Sequence, residues 1–430
     1  MTRGKNLSWI GIVRLGLVQM CLGSIVVLTT STLNRLMVVE LALPAILPGL
    51  LVGLHYGIQI SRPHWGVLSD ATGRRTPWIV RGMAILALGA LGAAFGIPLF
   101  NQSFWAALTL SILSYTAIGL GVGASGTSLL ALLATTTEPR RRAAAATITW
   151  LMMIAGIAIT AASVGAMLDP YSPRRLLIIV GLVGAGAVVL TSLAVWRVEV
   201  GVSAQPSAAK PRFRAALREV WANDAARRFT VFVFLSMTAF FMQELILEPY
   251  AGLVFGFTPG ESTSLSGAQN GGVFLGMLSV GIAVTGLKIG SLRGWVVAGC
   301  LGSAASLGAI SAMGQVGPEA PLVLAVVVLG FFNGMFAVAA IGAMMELAGE
   351  KAQGQEGTRM GLWGAAQAIA AGFGGLVGAA AADLFRSVMP DATAFGAVLL
   401  AEAALFVAAA ILAAQVIHET RRETRIVAGE

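Results

Sequence analysis

The chain is a succession of apolar runs, each long enough to cross a membrane, and that pattern excludes most folds at once. About 30 Å of hydrocarbon takes roughly 20 helical residues. Twelve stretches approach that length, near 13–34, 41–61, 77–100, 104–134, 143–168, 176–196, 229–255, 270–289, 295–314, 321–348, 360–385 and 392–416. Hydrocarbon offers no hydrogen-bond partners, so each run must satisfy its own backbone, as a helix does. Composition agrees: 57% of the 430 residues are hydrophobic and 11% charged, where a soluble domain carries roughly a quarter charged. The expectation is an all-α membrane protein of about twelve transmembrane helices. A short basic N-terminus (Arg3, Lys5, Arg14) precedes the first run, and no small-residue cleavage site follows it. That run is expected to stay as a span rather than leave as a signal peptide.

The longest interval between runs, 197–228, divides the chain into two sets of six. The expected organisation is an N-terminal half over 1–196, a cytoplasmic linker over 197–228, a C-terminal half over 229–417 and a cytoplasmic tail over 418–430. The linker opens on the flexible stretch "GVSAQPSAAKP". It continues with "RFRAALREVWANDAARR", where Phe213, Leu217, Val220 and Trp221 share one helical face among arginines. That pattern predicts a helix lying on the membrane surface.

Orientation follows from the basic residues. With the N-terminus in the cytoplasm, only Arg35, Arg174, Arg175 and Arg386 fall outside, leaving 24 of the 28 Lys and Arg (28 − 4) inside. Both termini are then cytoplasmic. The net charge of +8 is therefore a topology signal, and nucleic acid is excluded as a partner. Cys21 and Cys300 both lie in apolar runs, which gives neither a disulfide framework nor metal-ligand spacing.

The string "GVGASG" matches G-x-G-x-x-G at Gly121, Gly123 and Gly126, but no strand precedes it. Close helix packing explains these glycines better than a dinucleotide does. Between the second and third runs stands "GVLSDATGRR", with Gly66, Asp70, Gly73, Arg74 and Arg75. It resembles the loop signature of the major facilitator superfamily. An aspartate at a helix end can face the N-terminus of a neighbouring helix, while the arginine pair anchors at the inner surface.

Ionisable groups inside the runs are rare and therefore candidates for function. The first run ends "LNRLMVVELALP", with Arg35 and Glu40; the seventh ends "QELILEPYAG", with Glu244 and Glu248. Helical rise places Glu244 about 24 Å and Glu248 about 30 Å beyond Arg228, toward the outer face. The expectation is that Arg35 pairs with Glu244 or Glu248 and closes the outer mouth of a central cleft; the alternative is that these groups reach interfacial water. His55 lies roughly 16 Å from the inner surface. Its imidazole either ligates a metal or hydrogen-bonds a neighbouring helix. Glu402, Gln19, Asn333 and Gln367 also fall near mid-membrane, and Glu402 is a proton-site candidate. No Ser/His/Asp set, paired catalytic carboxylates or phosphate loop is present, so enzymatic activity is not expected.

Four blocks carry a more specific resemblance: "LNRLMVVELALPA" (33–45), "SDATGRRTPWI" (69–79), "QELILEPYAGLVFGF" (243–257) and "GTRMGLWGAAQA" (357–368). Together they resemble the bacteriochlorophyll delivery family of the major facilitator superfamily, the PucC/LhaA-like antenna assembly factors of phototrophic bacteria. The nearest subgroup is the shorter one, associated with bacteriochlorophyll synthesis. The resemblance implies a facilitator-type fold in a bacterial inner, cytoplasmic or intracytoplasmic photosynthetic membrane. It implies a non-enzymatic factor that binds bacteriochlorophyll or a late precursor and delivers it to antenna polypeptides, with chlorophyll synthase as a further partner and lipid as its surroundings. On that reading His55, Gln59, Gln243 and Gln367 are the pigment-binding candidates, with His55 as a ligand of the chlorin magnesium. The flat, small-residue stretch "AAGFGGLVGAAAA" (370–382) is a candidate macrocycle surface. A proton-coupled transporter of a small solute and a pigment-free assembly scaffold remain the alternatives.

Overall fold

A computed structural model describes residues 7–71, 74–138, 141–199, 224–349 and 356–427. Every regular element among them is helical. Among the described residues eleven helices are long and apolar enough to cross a membrane. In chain order the elements are α1 (Trp9–Glu40), α2 (Ile46–Ser61), α3 (Arg62–Ala71), α4 (Thr76–Leu99), α5 (Phe104–Thr136), α6 (Arg142–Leu168) and α7 (Pro173–Val195). They continue with α8 (Asp224–Phe255), α9 (Pro259–Gly281), α10 (Leu292–Val316), α11 (Leu322–Gly349), α12 (Glu356–Arg386) and α13 (Asp391–Val427). The surface helix expected over 212–228 lies, as far as residue 223, outside the described residues.

The second expected span is shorter than its apolar run. The chain leaves helix after Glu40, Ala42 takes a left-handed φ of 49°, and Pro44 offers no N–H to a preceding turn. Helix resumes only at Ile46, tightens to a 3-10 turn over Gln59–Ser61, and continues as α3. The apolar run 41–61 thus divides into a link and a short helix.

The chain forms two compact units, one of Met1–Ala208 with Ala251–Asn270 and one of Ala209–Tyr250 with Gly271–Glu430. In the first unit α1 packs on α6 and α7, and α4 packs along α5. In the second, α10 packs against α11 and α13. Lipid is as apolar as a leucine side chain, so close backbone approach, rather than burial from water, holds such helices together. Two reciprocal glycine contacts show this. A methyl on Gly121 would come 2.7 Å from the Gly82 carbonyl oxygen, and one on Gly82 would come 2.9 Å from that of Gly121. In the second unit a methyl on Gly276 would overlap the Phe331 carbonyl, and one on Gly334 would overlap that of Val273. The G-x-G-x-x-G glycines of α5 belong to this packing. Gly121 meets α4, and Gly123 approaches the Trp65 ring of α3, to which an added methyl would lie at 3.2 Å.

The stretch 370–382 is also used in this way. Methyl groups on Gly374 and Gly378 would fall 2.5 Å and 2.9 Å from the Thr238 and Met242 carbonyls of α8. These glycines seat one helix on another instead of facing a macrocycle.

Leucine at Gly121 should therefore overpack the α4–α5 contact and cost roughly 1–3 kcal/mol. Leucine at Gly186, where nothing lies within 4 Å of the added carbon, should leave the melting temperature unchanged. Thermal unfolding of both variants in detergent checks the difference.

Candidate functional site

Polar chemistry in the first unit gathers at the two ends of the bundle. At the end that charge assigns as outer, α1 widens into π turns over Leu28–Thr32 and Leu36–Glu40, a distortion that recurs at functional positions. Between them Arg35 is 2% exposed. Its Nη1 pairs with Glu40 Oε1, and its Nη2 donates to the Phe257 carbonyl at 2.8 Å. Gly252 makes room for the guanidinium, since a methyl there would sit 3.2 Å from Nη2. The "QELILEPYAGLVFGF" block thus supplies both the passage and the acceptor for this arginine.

The loop 256–258 and the start of α9 are bound to the same unit by further side chains. Ser31 and Ser266 hydroxyls lie 2.7 Å apart, and Thr263 Oγ1 donates to Thr32 Oγ1 at 3.3 Å. Asp169 accepts the Gly260 N–H at 3.1 Å and the Thr258 hydroxyl. Thr258 and Glu261 form a reciprocal capping box. The Thr258 N–H donates to Glu261 Oε2 at 2.9 Å, and the Glu261 N–H donates to Thr258 Oγ1 at 3.2 Å. Asp169 therefore places negative charge on a capped helix N-terminus, where it is favoured. These bonds explain why residues 251–270 group with the first unit. Sequence reasoning missed Asp169 and Thr258, although the T-x-x-E spacing of a capping box was present. Nearby, burial, reinforced by Glu40 and opposed by Arg35, pushes the Tyr171 phenol up.

At the opposite end, Asp70 closes α3, but its side chain and Gly73 lie outside the described residues. Gly66 faces Thr127 across ordinary contact. Arg74 is exposed, whereas Arg75 is buried. Arg75 Nη1 donates to the Ala131 carbonyl at 2.9 Å and to Thr135 Oγ1. Its backbone N–H and that of Thr76 reach the Glu199 carboxylate at 2.7 and 3.1 Å. Glu199 thereby caps α4 with an anion. No local signal announced this role, because the two residues are 124 apart in sequence.

His55, Gln59 and Arg62 form a chain along one side of α2 into α3. Arg62 Nη2 donates to Gln59 Oε1, and the Gln59 amide nitrogen lies 3.1 Å from His55 Nε2. A guanidinium only donates, so it fixes the amide with its oxygen outward and its N–H2 toward the imidazole. His55 Nε2 is then an acceptor already in use, and Nδ1 carries the hydrogen. The ring is 1% exposed, and Nδ1 has no partner among the described residues. An axial ligand for a chlorin magnesium needs a free lone pair facing open space. His55 does not fit that role in this geometry; it fits the role of orienting Gln59. Among the described residues no group of three or more metal-ligating side chains occurs.

The second unit buries polar groups at mid-membrane. Glu402 and Asn333 are each eleven residues into their helices (402 − 391 and 333 − 322), or about 16 Å. Both are 0% exposed. Ser303 donates to Asn333 Oδ1 at 2.8 Å. Asn333 Nδ2 and both Glu402 carboxyl oxygens lack partners among the described residues, as do both amide atoms of Gln243. Gln367 is half-buried on α12. Glu244 is half-buried and Glu248 buried on the part of α8 that belongs to this unit.

Two variants probe these environments. Glu40→Gln should weaken the hold on a buried guanidinium and cost roughly 1–3 kcal/mol, read as a lower melting temperature. Glu402→Leu should leave stability unchanged or raise it by roughly 1–3 kcal/mol, because an unpartnered buried carboxyl opposes folding. A clear fall on Glu402→Leu would mean that the carboxyl has a partner in the folded protein.

The long apolar helices define a polytopic membrane protein, and solved transporter structures show that its fold is of the major facilitator type. A bacterial homologue of the human lysosomal transporter Spinster, solved inward-facing and unoccupied, superposes with a TM-score of 0.71 at 13% identity, covering 95% of this chain and 96% of that one. A point mutant of the peptide transporter POT gives 0.69 at 14% identity, covering 95% and 94%. The chain belongs to the PucC protein family, whose model matches residues 32–421. It is 66% identical over 428 residues to the "Bacteriochlorophyll synthase 44.5 kDa chain" of Rhodobacter capsulatus, covering 99% of this chain and 100% of that protein. It is 30% identical over 411 residues to "Protein PucC" of Cereibacter sphaeroides, covering 90% and 86%.

Proposed function

We propose that this chain is a non-enzymatic membrane factor that binds bacteriochlorophyll or a late precursor and delivers it to antenna polypeptides during light-harvesting complex assembly. Family membership across nearly the whole chain carries the reading. The relative's name places that protein with bacteriochlorophyll synthase, and a pigment handler standing beside chlorophyll synthase accounts for such a name without a catalytic group of its own. The host membrane is then the inner membrane of a phototrophic bacterium, cytoplasmic or intracytoplasmic.

The cargo's chemistry fits a transporter fold with few polar groups. A chlorin macrocycle, esterified or not, is largely apolar, so its handler needs apolar surface and a small number of orienting bonds. Gln243, with an unbonded buried amide, and half-buried Gln367 are suited to the ring carbonyls. Gln59 and His55 are suited to positioning rather than to magnesium. Arg35, Glu40, Glu244 and Glu248 would set the outer ends of their helices.

A second reading, proton-coupled movement of a small solute, draws on the unpartnered Glu402 carboxyl. Purification from a phototrophic host in mild detergent separates the two. A near-infrared chlorin band should accompany the protein, and it should survive His55→Leu. Loss of the band in that variant would restore His55 as a ligand. A colourless protein that takes up solute in proteoliposomes, and stops doing so as Glu402→Gln, would favour the transporter.

A further inference from the structure

The chain His55–Gln59–Arg62 is more elaborate than a topological arginine requires. An arginine that only marks the inner surface lies free among headgroups and water. Arg62 instead follows His55 and Gln59 at helical spacing, on a side where both of those residues are buried (1% and 5% exposed) while Arg62 itself remains exposed. Two buried polar side chains, bonded to each other and to Arg62, serve to fix the orientation of one guanidinium. Yet Arg62 has no carboxylate partner among the described residues. Arg35 has Glu40, Arg141 has Glu138, and Arg386 has Asp383 and Asp391. Arg62 instead joins Arg14 and Arg175, which bond neutral oxygens, but of these three its acceptor alone is a side chain held by a second buried side chain. Gln59 accepts from Nη2, and Nη1 and Nε make no hydrogen bond among the described residues.

A guanidinium presented in this way matches a carboxylate, which accepts two parallel N–H donors. We propose that Arg62, oriented by Gln59 and His55, recognises the carboxylate of a membrane amphiphile arriving at the inner boundary. This rests on the pigment reading and sharpens it. The occupant is a chlorin whose propionate is free, because an esterified propionate carries no charge for Arg62 to meet. The arrangement thus assigns the chain to the unesterified pigment rather than to the finished phytyl ester. His55 takes the part of a positioning residue: its Nε2 holds the Gln59 amide, and its hydrogen-bearing Nδ1 lies unbonded and buried behind it.

The test uses the full-length protein in detergent with bacteriochlorophyll a and with the free acid made by removing its phytyl ester, read by the shift of the near-infrared band on binding. The wild-type protein should bind the acid on the order of tenfold more tightly than the ester, the scale of one charge-assisted bond. Raised salt should narrow that gap. Arg62→Gln should remove the preference while leaving ester binding intact; Arg62→Lys should keep part of it; Gln59→Leu should lower it with Arg62 still present. Ester binding that persists in each variant shows that the fold survives. Equal binding of acid and ester by the wild type would overturn the carboxylate site and leave pigment handling standing. Binding of neither would overturn the pigment reading itself. Displacement of the acid by oleate at equal concentration would make the occupant a fatty acid and overturn the chlorin assignment.

Discussion

Hydrocarbon supplies no hydrogen bonds, and the rest of this molecule follows from that fact. Backbone groups must be satisfied within each segment, so every described element is helical. The same solvent removes the usual drive for association, because leucine gains nothing by leaving lipid for protein. Cohesion then comes from dispersion at short range, and short range requires glycine. Gly82 and Gly121 in one unit, and Gly276 and Gly334 in the other, bring helix backbones to separations that any side chain would forbid. At these positions helix propensity is given up in exchange for contact.

Against such a background each buried polar group is costly, so its placement carries information. Three charged groups of the first unit are engaged: Arg35 by Glu40 and Phe257, Asp169 by Thr258 and Gly260, Glu199 by the start of α4. Each of these bonds joins a helix terminus or a loop to a neighbour, where chain ends would otherwise leave N–H or C=O groups open. They serve architecture first. In the second unit, Glu402, Gln243 and part of Asn333 are buried without bonds among the described residues. Architecture does not explain those three, and any ligand chemistry of that unit has to reckon with them.

The spans could be read from sequence because hydrophobic length is a local property. What could not be read was local only in appearance. The run 41–61 looked continuous, yet Ala42 and Pro44 divide it, since a proline within five residues of a helix end acts on backbone bonds and not on hydropathy. Arg35, Glu40 and Glu248 were visible as charges in apolar surroundings. The Arg35–Glu40 pair was not, because a spacing of five brings side chains together only where π turns widen the helix. Glu199 and Asp169 act on helix termini far away in the chain, and no spacing rule reaches that far. His55 was legible as a rare buried imidazole, but its state depends on Gln59, and the orientation of Gln59 depends in turn on Arg62.

That dependence bears on how a transporter fold could come to handle pigment. A fold that moves polar solutes must bury polar groups to replace water around the cargo. A chlorin needs little of that, since most of its surface is already at home in lipid. What it does need is orientation, and a single charged or carbonyl-bearing edge is enough to give it. On the proposed reading, the relay that holds Arg62 at the start of α3 would meet that need while adding little polarity to the bundle. The proposed function is compatible with charged residues being only 11% of the chain: for a lipid-soluble cargo, apolar surface would do most of the binding and a few polar side chains would orient it.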